Sequence, residues 1–163
     1  MTAENAKVVA GFICKGFEGE FVTTKKVLAA VPDGKLSWRP HEKGRTAGEL
    51  AWHIAAVDVW FLESVARGSF PKPESPPHPK TSAEIVAYYD KNFPPALAKV
   101  KAMSGEQLLK EITFYSFNQP GVVYVSMCNC HSIHHRGQLA AYLRAMGEKV
   151  PSIYGGSADE PMG

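Results

Sequence analysis

The sequence predicts an all-α protein, a four-helix bundle in up-down-down-up order with a long proline-rich crossover between its second and third helices. Four segments repeat apolar residues at spacings of three and four, which is the periodicity of an amphipathic helix. Two of these segments open with a Thr-x-x-Glu capping box, a typical helix start. The stretch between those two contains five prolines in twelve residues, which excludes both a helix and a central strand.

The first predicted helix runs from Val8 to Val31. Apolar side chains recur along it at Val9, Phe12, Ile13, Phe17, Phe21, Val27 and Leu28. Pro32-Asp33-Gly34 is a turn signal, so we expect the helix to end there. The second predicted helix begins at Thr46 and ends at Arg67-Gly68, a basic last turn followed by a glycine stop. Its apolar stripe is Leu50, His53, Ile54, Val57, Phe61, Ser64 and Val65.

The crossover, residues 69–80, should be extended. Twelve extended residues reach roughly 40 Å, whereas a helix of about 20 residues is roughly 30 Å long. The crossover can therefore run back along the bundle and let the third helix lie parallel to the second. The third predicted helix opens with a capping box of Thr81 and Glu84. It carries Ile85, Tyr88, Tyr89 and Phe93, and Pro94-Pro95 should kink or split it.

The last third of the chain holds a β-prone segment, a fourth helix and a tail. Residues 111–117 alternate weakly and predict either a small hairpin or a loop. The fourth predicted helix starts at Gly121 and ends at Gly147, ahead of Pro151. One of its faces carries Val125, Cys128, His131, His135, Leu139, Tyr142 and Met146. The polar tail, residues 151–163, should be anchored by Ile153 and Tyr154.

Length and charge narrow the classes of function. A chain of 163 residues suits a single domain, residues 1–163 with the tail at 151–163. The 18 basic and 16 acidic side chains are spread along the chain, which argues against nucleic acid as a partner. No apolar run approaches the roughly 18 residues that span a bilayer, so we expect no membrane association and a cytoplasmic protein. The odd, scattered cysteines Cys14, Cys128 and Cys130 fit reduced thiols in that compartment.

Three histidines form a candidate metal site. His131 and His135 are four residues apart on the fourth predicted helix, so their imidazoles share a face, whereas His134 points elsewhere. A third ligand has to come from another element, and His53 lies in the apolar stripe of the second predicted helix. Neutral imidazole suits zinc, nickel, copper and iron. Three histidines leave at least one coordination position for water or substrate, as in catalytic metal sites.

Other interpretations of these residues stay open. Residues 131–135 can be a polar stretch of a helix, with His53 a hydrogen-bonded core residue. Cys128 shares the face of His131 and could replace a histidine as ligand, although packing in the core is the more usual role of a buried cysteine. Three further candidates are expected to lie outside the site. Cys130 points off the ligand face, and His41 and His78 are in predicted loops.

The segment His131-Ser132-Ile133-His134-His135-Arg136-Gly137-Gln138-Leu139, preceded on the second predicted helix by Gly48-Glu49-Leu50-Ala51-Trp52-His53, resembles the DinB superfamily. Three further segments extend the resemblance over nearly the whole chain: Trp38-Arg39-Pro40, Val150-Pro151-Ser152-Ile153-Tyr154-Gly155 and Ala158-Asp159-Glu160. The resemblance implies an up-down-down-up four-helix bundle. It also implies metal ligands at His53, His131 and His135, with a divalent ion, zinc or nickel first, as the cofactor.

The resemblance implies a range of chemistry: bacillithiol S-transferases, a mycothiol-dependent maleylpyruvate isomerase and proposed metal-dependent hydrolases. A bound dication would lower the pKa of a water or thiol and give a nucleophile at neutral pH. We therefore expect a metal-dependent transferase or hydrolase that acts on a small molecule, with a low-molecular-weight thiol as candidate cosubstrate and no catalytic residue assigned. The alternative is a non-catalytic stress or ligand-binding protein, whose metal a fourth protein ligand such as Cys128 would enclose. A homodimer is the expected assembly.

Side chains near the predicted ligands have open roles. Glu49 could accept a hydrogen bond from His53 or be occupied in its capping box. Arg136 and Gln138 lie off the ligand face, where pairing with a neighbouring helix or the tail competes with substrate binding. Trp38 could line the mouth of a pocket, or it could be a packing residue. Tyr154 could donate a proton, or it could anchor the tail.

Overall fold

The fold contains four long α-helices, one short α-helix, one turn of 3-10 helix (Asp33–Lys35) and one hairpin in the residues that the computed structural model describes, 1–73 and 78–162. In chain order the α-helices and strands are α1 (Ala3–Ala29), α2 (Ala47–Arg67), α3 (Ser82–Ala102), α4 (Gly105–Leu109), β1 (Glu111–Phe114), β2 (Phe117–Pro120) and α5 (Gly121–Ala145). The described chain is therefore mostly helical, but it is not all-α. Strands β1 and β2 pair antiparallel, so the hairpin interpretation of residues 111–117 is correct and the loop interpretation is wrong.

Helix starts follow the capping chemistry of the sequence. At Thr46 the capping box is complete: the Glu49 amide donates to Thr46 Oγ1 at 3.1 Å, and the Thr46 amide donates to Glu49 Oε2 at 2.7 Å. At α3 it is half formed, because Glu84 accepts instead from the amide of Lys80 at 2.6 Å. At the other end of α2, Gly68 adopts a φ of 77°, where glycine carries no steric cost.

Two helix starts differ from the prediction. Helix α1 begins at Ala3, ahead of the predicted Val8, because Thr2 accepts a hydrogen bond from the amide of Asn5 and caps the helix. Helix α4 was not predicted at all. Its signal is nevertheless in the sequence, since Ser104 and Gln107 form a complete capping box.

Pro94 and Pro95 do not split α3, which runs from Ser82 to Ala102 with both prolines inside it. A proline at either position removes the hydrogen bond to the carbonyl four residues earlier. Those carbonyls belong to Asp90 and Lys91, which are exposed along with both prolines, so water can satisfy them. The helix therefore continues where a buried proline pair would have interrupted it.

The long helices pack around a shared apolar core. Helix α1 contacts α3 and α5, and α2 contacts the same two helices. Between α1 and α3, the rings of Phe17 and Phe21 each lie 4.8 Å from the ring of Phe93. At the other side of the core, Phe61 of α2 lies 5.4 Å from Phe114 of β1, so the hairpin closes that end.

The crossover and the tail connect to this core in different ways. Residues 69–73 and 78–80 are neither helix nor strand, as predicted, and Pro76 and Pro77 lie outside the described residues. In the tail, Ile153 packs against the core and the Tyr154 hydroxyl donates to Glu20 at 2.9 Å. Both predicted anchors are confirmed. No helix in the described ranges has the length and apolar character needed to cross a bilayer.

Candidate metal centre

Helices α2 and α5 bring together the three histidines that the sequence singled out. The ring centroids of His53 and His131 are 5.0 Å apart, those of His53 and His135 are 4.8 Å apart, and those of His131 and His135 are 4.4 Å apart. One nitrogen from each ring lies within 4.8 Å of the others. All three side chains are partly buried. The i, i+4 spacing on α5 therefore meets a single histidine of α2, as the pattern predicts.

Burial favours the neutral form of His53 and His135. It lowers the pKa of His53 to about 3, helped by the positive charge of Arg45 and by the other two histidines. Burial also lowers the pKa of His135, although its contact with Gln138 opposes the shift. A neutral imidazole has a lone pair to offer, whereas a protonated one has none. Both rings are therefore in the ligand form at neutral pH.

Gln138 orients the ring of His135. Its side-chain oxygen lies 2.9 Å from His135 Nδ1, while its nitrogen donates to the Tyr142 hydroxyl at 3.3 Å. Because the amide oxygen can only accept, the proton of His135 belongs on Nδ1. The lone pair is then on Nε2, the nitrogen that is free to bind a metal. The sequence analysis considered pairing with a neighbouring helix or the tail, or substrate binding, for Gln138, whereas both of these contacts are to residues of α5 itself. The signal for the observed role is the i, i+3 spacing from His135.

His131 faces a buried carboxylate on its other side. Its Nδ1 is 3.9 Å from Oδ1 of Asp58, and its Nε2 is 3.0 Å from Nε2 of His53. Asp58 is fully buried, which raises the pKa of its carboxyl, while the nearby His131 ring and hydrogen bonds from Ser132 and Tyr89 oppose that shift. Sequence reasoning missed Asp58. Its signal is an acidic residue between the apolar positions Ile54 and Phe61 of α2.

The other candidates lie outside the histidine cluster. Glu49 is occupied in the capping box, the alternative to a contact with His53. The Cys128 thiol is buried and 3.8 Å from the carbonyl of Asp58, which fits packing in the core. Trp38 packs edge-on against Tyr142, with ring centroids 5.4 Å apart, and does not line the cavity described below. The exposed candidates are His41, His78, Cys130 and His134.

Arg136 and Tyr154 fix α5 to α1 and to the tail. The guanidinium is buried and pairs with Glu20 of α1, and it donates to the Tyr154 hydroxyl at 2.7 Å. Of the two roles considered for Arg136, pairing with a neighbouring helix and the tail is the one observed. Tyr154 likewise has the anchoring role.

A cavity of about 780 Å³ opens beside the histidines. His53 and His131 are part of its wall, and most of the remaining lining is apolar or aromatic: Trp52, Val57, Trp60, Phe61, Phe114 and Met127. Arg45 and Glu49 contribute charge, and Tyr115 of the hairpin turn lies at its edge. Small-molecule sites typically combine such a wall with a few polar groups.

The chain is similar to known proteins over most of its length. The family model described as DinB family matches residues 13–162. The uncharacterized protein YrdA of Bacillus subtilis (strain 168) is 29% identical over 150 residues, which cover 90% of this chain and 88% of YrdA.

Solved structures with a similar fold are described as DinB-like proteins. A DinB-like protein from Bacillus cereus ATCC 10987 superimposes with a TM-score of 0.72 at 25% identity, covering 87% of this chain and 95% of the other. The DinB-like protein YjoA of Bacillus subtilis superimposes with a TM-score of 0.73 at 22% identity, and the match covers 87% of this chain and 96% of YjoA. At that identity the YjoA comparison shows the fold alone.

Proposed function

The chain belongs to the DinB family, and from this premise we propose that His53, His131 and His135 hold one divalent metal ion in an enzyme that acts on a small molecule. The observation that carries the proposal is the position of the three imidazoles: they lie close together, and two of them form part of the wall of an apolar cavity. A metal site that serves structure alone has no need of such an opening.

The donor set fits a divalent ion. Two Nε2 atoms face each other at 3.0 Å, and the orientation of His135 leaves its Nε2 lone pair free. Lone pairs that converge repel one another unless a proton or a cation lies between them. Imidazole nitrogen suits zinc and nickel, the ions we propose. When bound, such an ion lowers the pKa of a water or thiol and so supplies a nucleophile at neutral pH.

The surroundings favour an enzyme over a non-catalytic protein. A fourth protein ligand would close the site, and Cys128 was the candidate for it. Its thiol instead lies against the carbonyl of Asp58, and the described residues that form the candidate cluster are the three histidines. A coordination position then remains for a substrate atom that enters from the cavity.

Among enzymatic reactions we favour thiol transfer. The cavity volume of about 780 Å³ has room for an electrophile beside a small thiol. Trp52, Trp60 and Phe114 would bind the apolar body of the electrophile and exclude water from the reacting sulfur. In this reaction the sulfur forms a bond to the electrophilic carbon, the leaving group departs with its electron pair, and the thiol proton goes to solvent.

The test uses tag-free protein, its metal content and two reactions. We expect about one equivalent of zinc or nickel. Conjugation of 1-chloro-2,4-dinitrobenzene with cysteine, glutathione or bacillithiol should run above the uncatalysed rate, stop after chelation and return when the metal is restored. Hydrolysis of 4-nitrophenyl acetate tests the hydrolase alternative. Bound metal without turnover of either kind would support the non-catalytic protein, and absence of metal would overturn the proposal.

We also propose that the long helices form a single-domain bundle in up-down-down-up order. Pairs between α2 and α3 support a parallel packing, since Asp58 contacts Tyr89 and, further along both helices, Glu63 pairs with Lys99. Pairs between α2 and α5 run in opposite order: His53 meets His135, whereas Phe61 meets Tyr124. Between α1 and α3 the order is also reversed: Lys7 near the start of α1 donates to the carbonyl of Met103 at the end of α3, whereas Lys25 near the end of α1 pairs with Asp90.

For the assembly we propose a homodimer through the exposed face of α1. Val8, Phe12 and Val22 are 67%, 82% and 56% exposed. With Lys15 and Gly19 they recur at alternating spacings of four and three, which places them in one stripe, the pattern of a helix that packs against a partner helix. Gly11, Gly16 and Gly19 have open space around them, which allows close approach.

Phe12→Asp is expected to convert this dimer into a monomer, because it removes the largest apolar side chain of the stripe and adds a carboxylate that would have to lose its water in the interface. Light scattering after size-exclusion chromatography measures the mass. Phe117→Asp is the matched control, since Phe117 is also exposed but lies in the hairpin. A wild-type protein that is monomeric at micromolar concentration would contradict the proposal.

A further inference from the structure

A carboxylate in the middle of the core lies behind the candidate metal centre. Asp58 is fully buried on α2. Its Oδ2 accepts hydrogen bonds from the Tyr89 hydroxyl of α3 at 2.8 Å and from the Ser132 hydroxyl of α5 at 2.7 Å. Two donors from two different helices fix the plane of the carboxylate. The direction of its other oxygen is therefore set by the fold.

That other oxygen is directed at a metal ligand. Asp58 Oδ1 and His131 Nδ1 are both buried, and neither has a hydrogen-bond partner among the residues described. The two atoms are 3.9 Å apart, so the distance between them has to shorten by about 1 Å for a hydrogen bond to form. An unpaired buried donor and an unpaired buried acceptor both cost free energy, and this contact satisfies both.

We propose that Asp58 is a positioning residue for the metal centre: it accepts a hydrogen bond from Nδ1–H of His131 and so keeps the Nε2 lone pair of that ring directed at the cluster. The inference rests on the proposed metal site. It assigns each α5 ligand its own partner, a carboxylate for His131 and an amide for His135. The carboxylate is the stronger of the two, because a negative charge behind an imidazole raises its basicity as a ligand.

Placement of Asp58 distinguishes this role from simple packing. A carboxylate in the core costs more free energy than an apolar side chain of similar size. Its contacts to Tyr89 and Ser132 alone could be replaced by apolar packing between the same helices. Only the Oδ1 that faces His131 has no such substitute, because an apolar side chain cannot select which nitrogen of the ring carries the proton.

The tautomer of His131 tests this directly in metal-free protein. Two-bond ¹H–¹⁵N spectra of histidine-labelled protein at neutral pH distinguish Nδ1–H from Nε2–H, and we expect Nδ1–H for wild type. In Asp58→Asn the hydroxyls of Tyr89 and Ser132 should attract the amide oxygen, which leaves the amide NH₂ facing Nδ1. The expected result is reversal to Nε2–H and a loss of zinc affinity of about 10- to 100-fold in chelator competition.

Tyr89→Phe is the matched control. It removes one hydrogen bond from the same buried carboxylate but leaves Oδ1 in place, so stability should fall while the His131 tautomer is kept and zinc affinity changes little. If wild type carries Nε2–H, or if Asp58→Asn keeps Nδ1–H and wild-type affinity, the proposal is wrong. The tautomer of wild type needs neither a variant that folds nor a bound metal. It therefore tests the hydrogen bond between Asp58 and His131 separately from the metal analysis that tests the proposed function.

Discussion

Replacing His131 by alanine is expected to reduce bound zinc or nickel from about one equivalent to none detectable, and the same result is expected for His53→Ala and His135→Ala. Each variant leaves two imidazoles, and two neutral nitrogens hold a dication far more weakly than three. Elemental analysis of tag-free protein after gel filtration measures the ratio. Circular dichroism should show unchanged helix content, because the three rings are only partly buried.

His134→Ala is the matched control for these variants. His134 lies next to His135 on α5, with ring centroids 4.8 Å apart, but its side chain is exposed and outside the cluster. It should retain the full metal content. If His134→Ala loses as much metal as His135→Ala, the ion is bound at the helix surface and not between α2 and α5. If all four variants keep their metal, the assignment of the three ligands is wrong.

The grouping of these three histidines could be predicted because much of its geometry is local. Two histidines four residues apart on a helix must share a face, whatever the rest of the fold does. The third ligand required only that His53 lie in an apolar stripe of another helix. The capping box at Thr46 is equally local, and it predicted the residue at which α2 begins. A structural feature can be predicted from a sequence when independent local signals of this kind agree.

The groups behind the ligands could not be predicted in the same way. Asp58 touches Tyr89 and Ser132, so its role depends on how three helices meet. Pro94-Pro95 were expected to kink or split α3, and the expectation of a split was wrong for a related reason. Proline interrupts a helix when the carbonyl that it leaves unpaired is buried, and the exposure of Asp90 and Lys91 is a property of the folded molecule. Helix α4, by contrast, could have been predicted from the capping box of Ser104 and Gln107.

Glu20→Ala is expected to lower the free energy of unfolding by about 3 kcal/mol, because it leaves the Arg136 guanidinium buried without a counter-charge. The arginine side chain is 1% exposed and that of Glu20 is 16% exposed. The variant also removes the acceptor of the Tyr154 hydroxyl, so Tyr154 keeps only its hydrogen bond from Arg136. Urea denaturation followed by circular dichroism measures the change, and metal binding should persist in the folded protein.

Glu18→Ala is the control on the same helix. Glu18 pairs with Lys101 at 2.6 Å, but the two side chains are 38% and 46% exposed, so the loss should stay below about 1 kcal/mol. In the double variant Glu20→Ala with Arg136→Met no charge is left unpaired, and we expect it to be more stable than Glu20→Ala alone. A double variant less stable than the single one would mean that Arg136 stabilises the fold by its packing and its bond to Tyr154. The ion pair would then contribute little to holding α5, and with it His131 and His135, against α1.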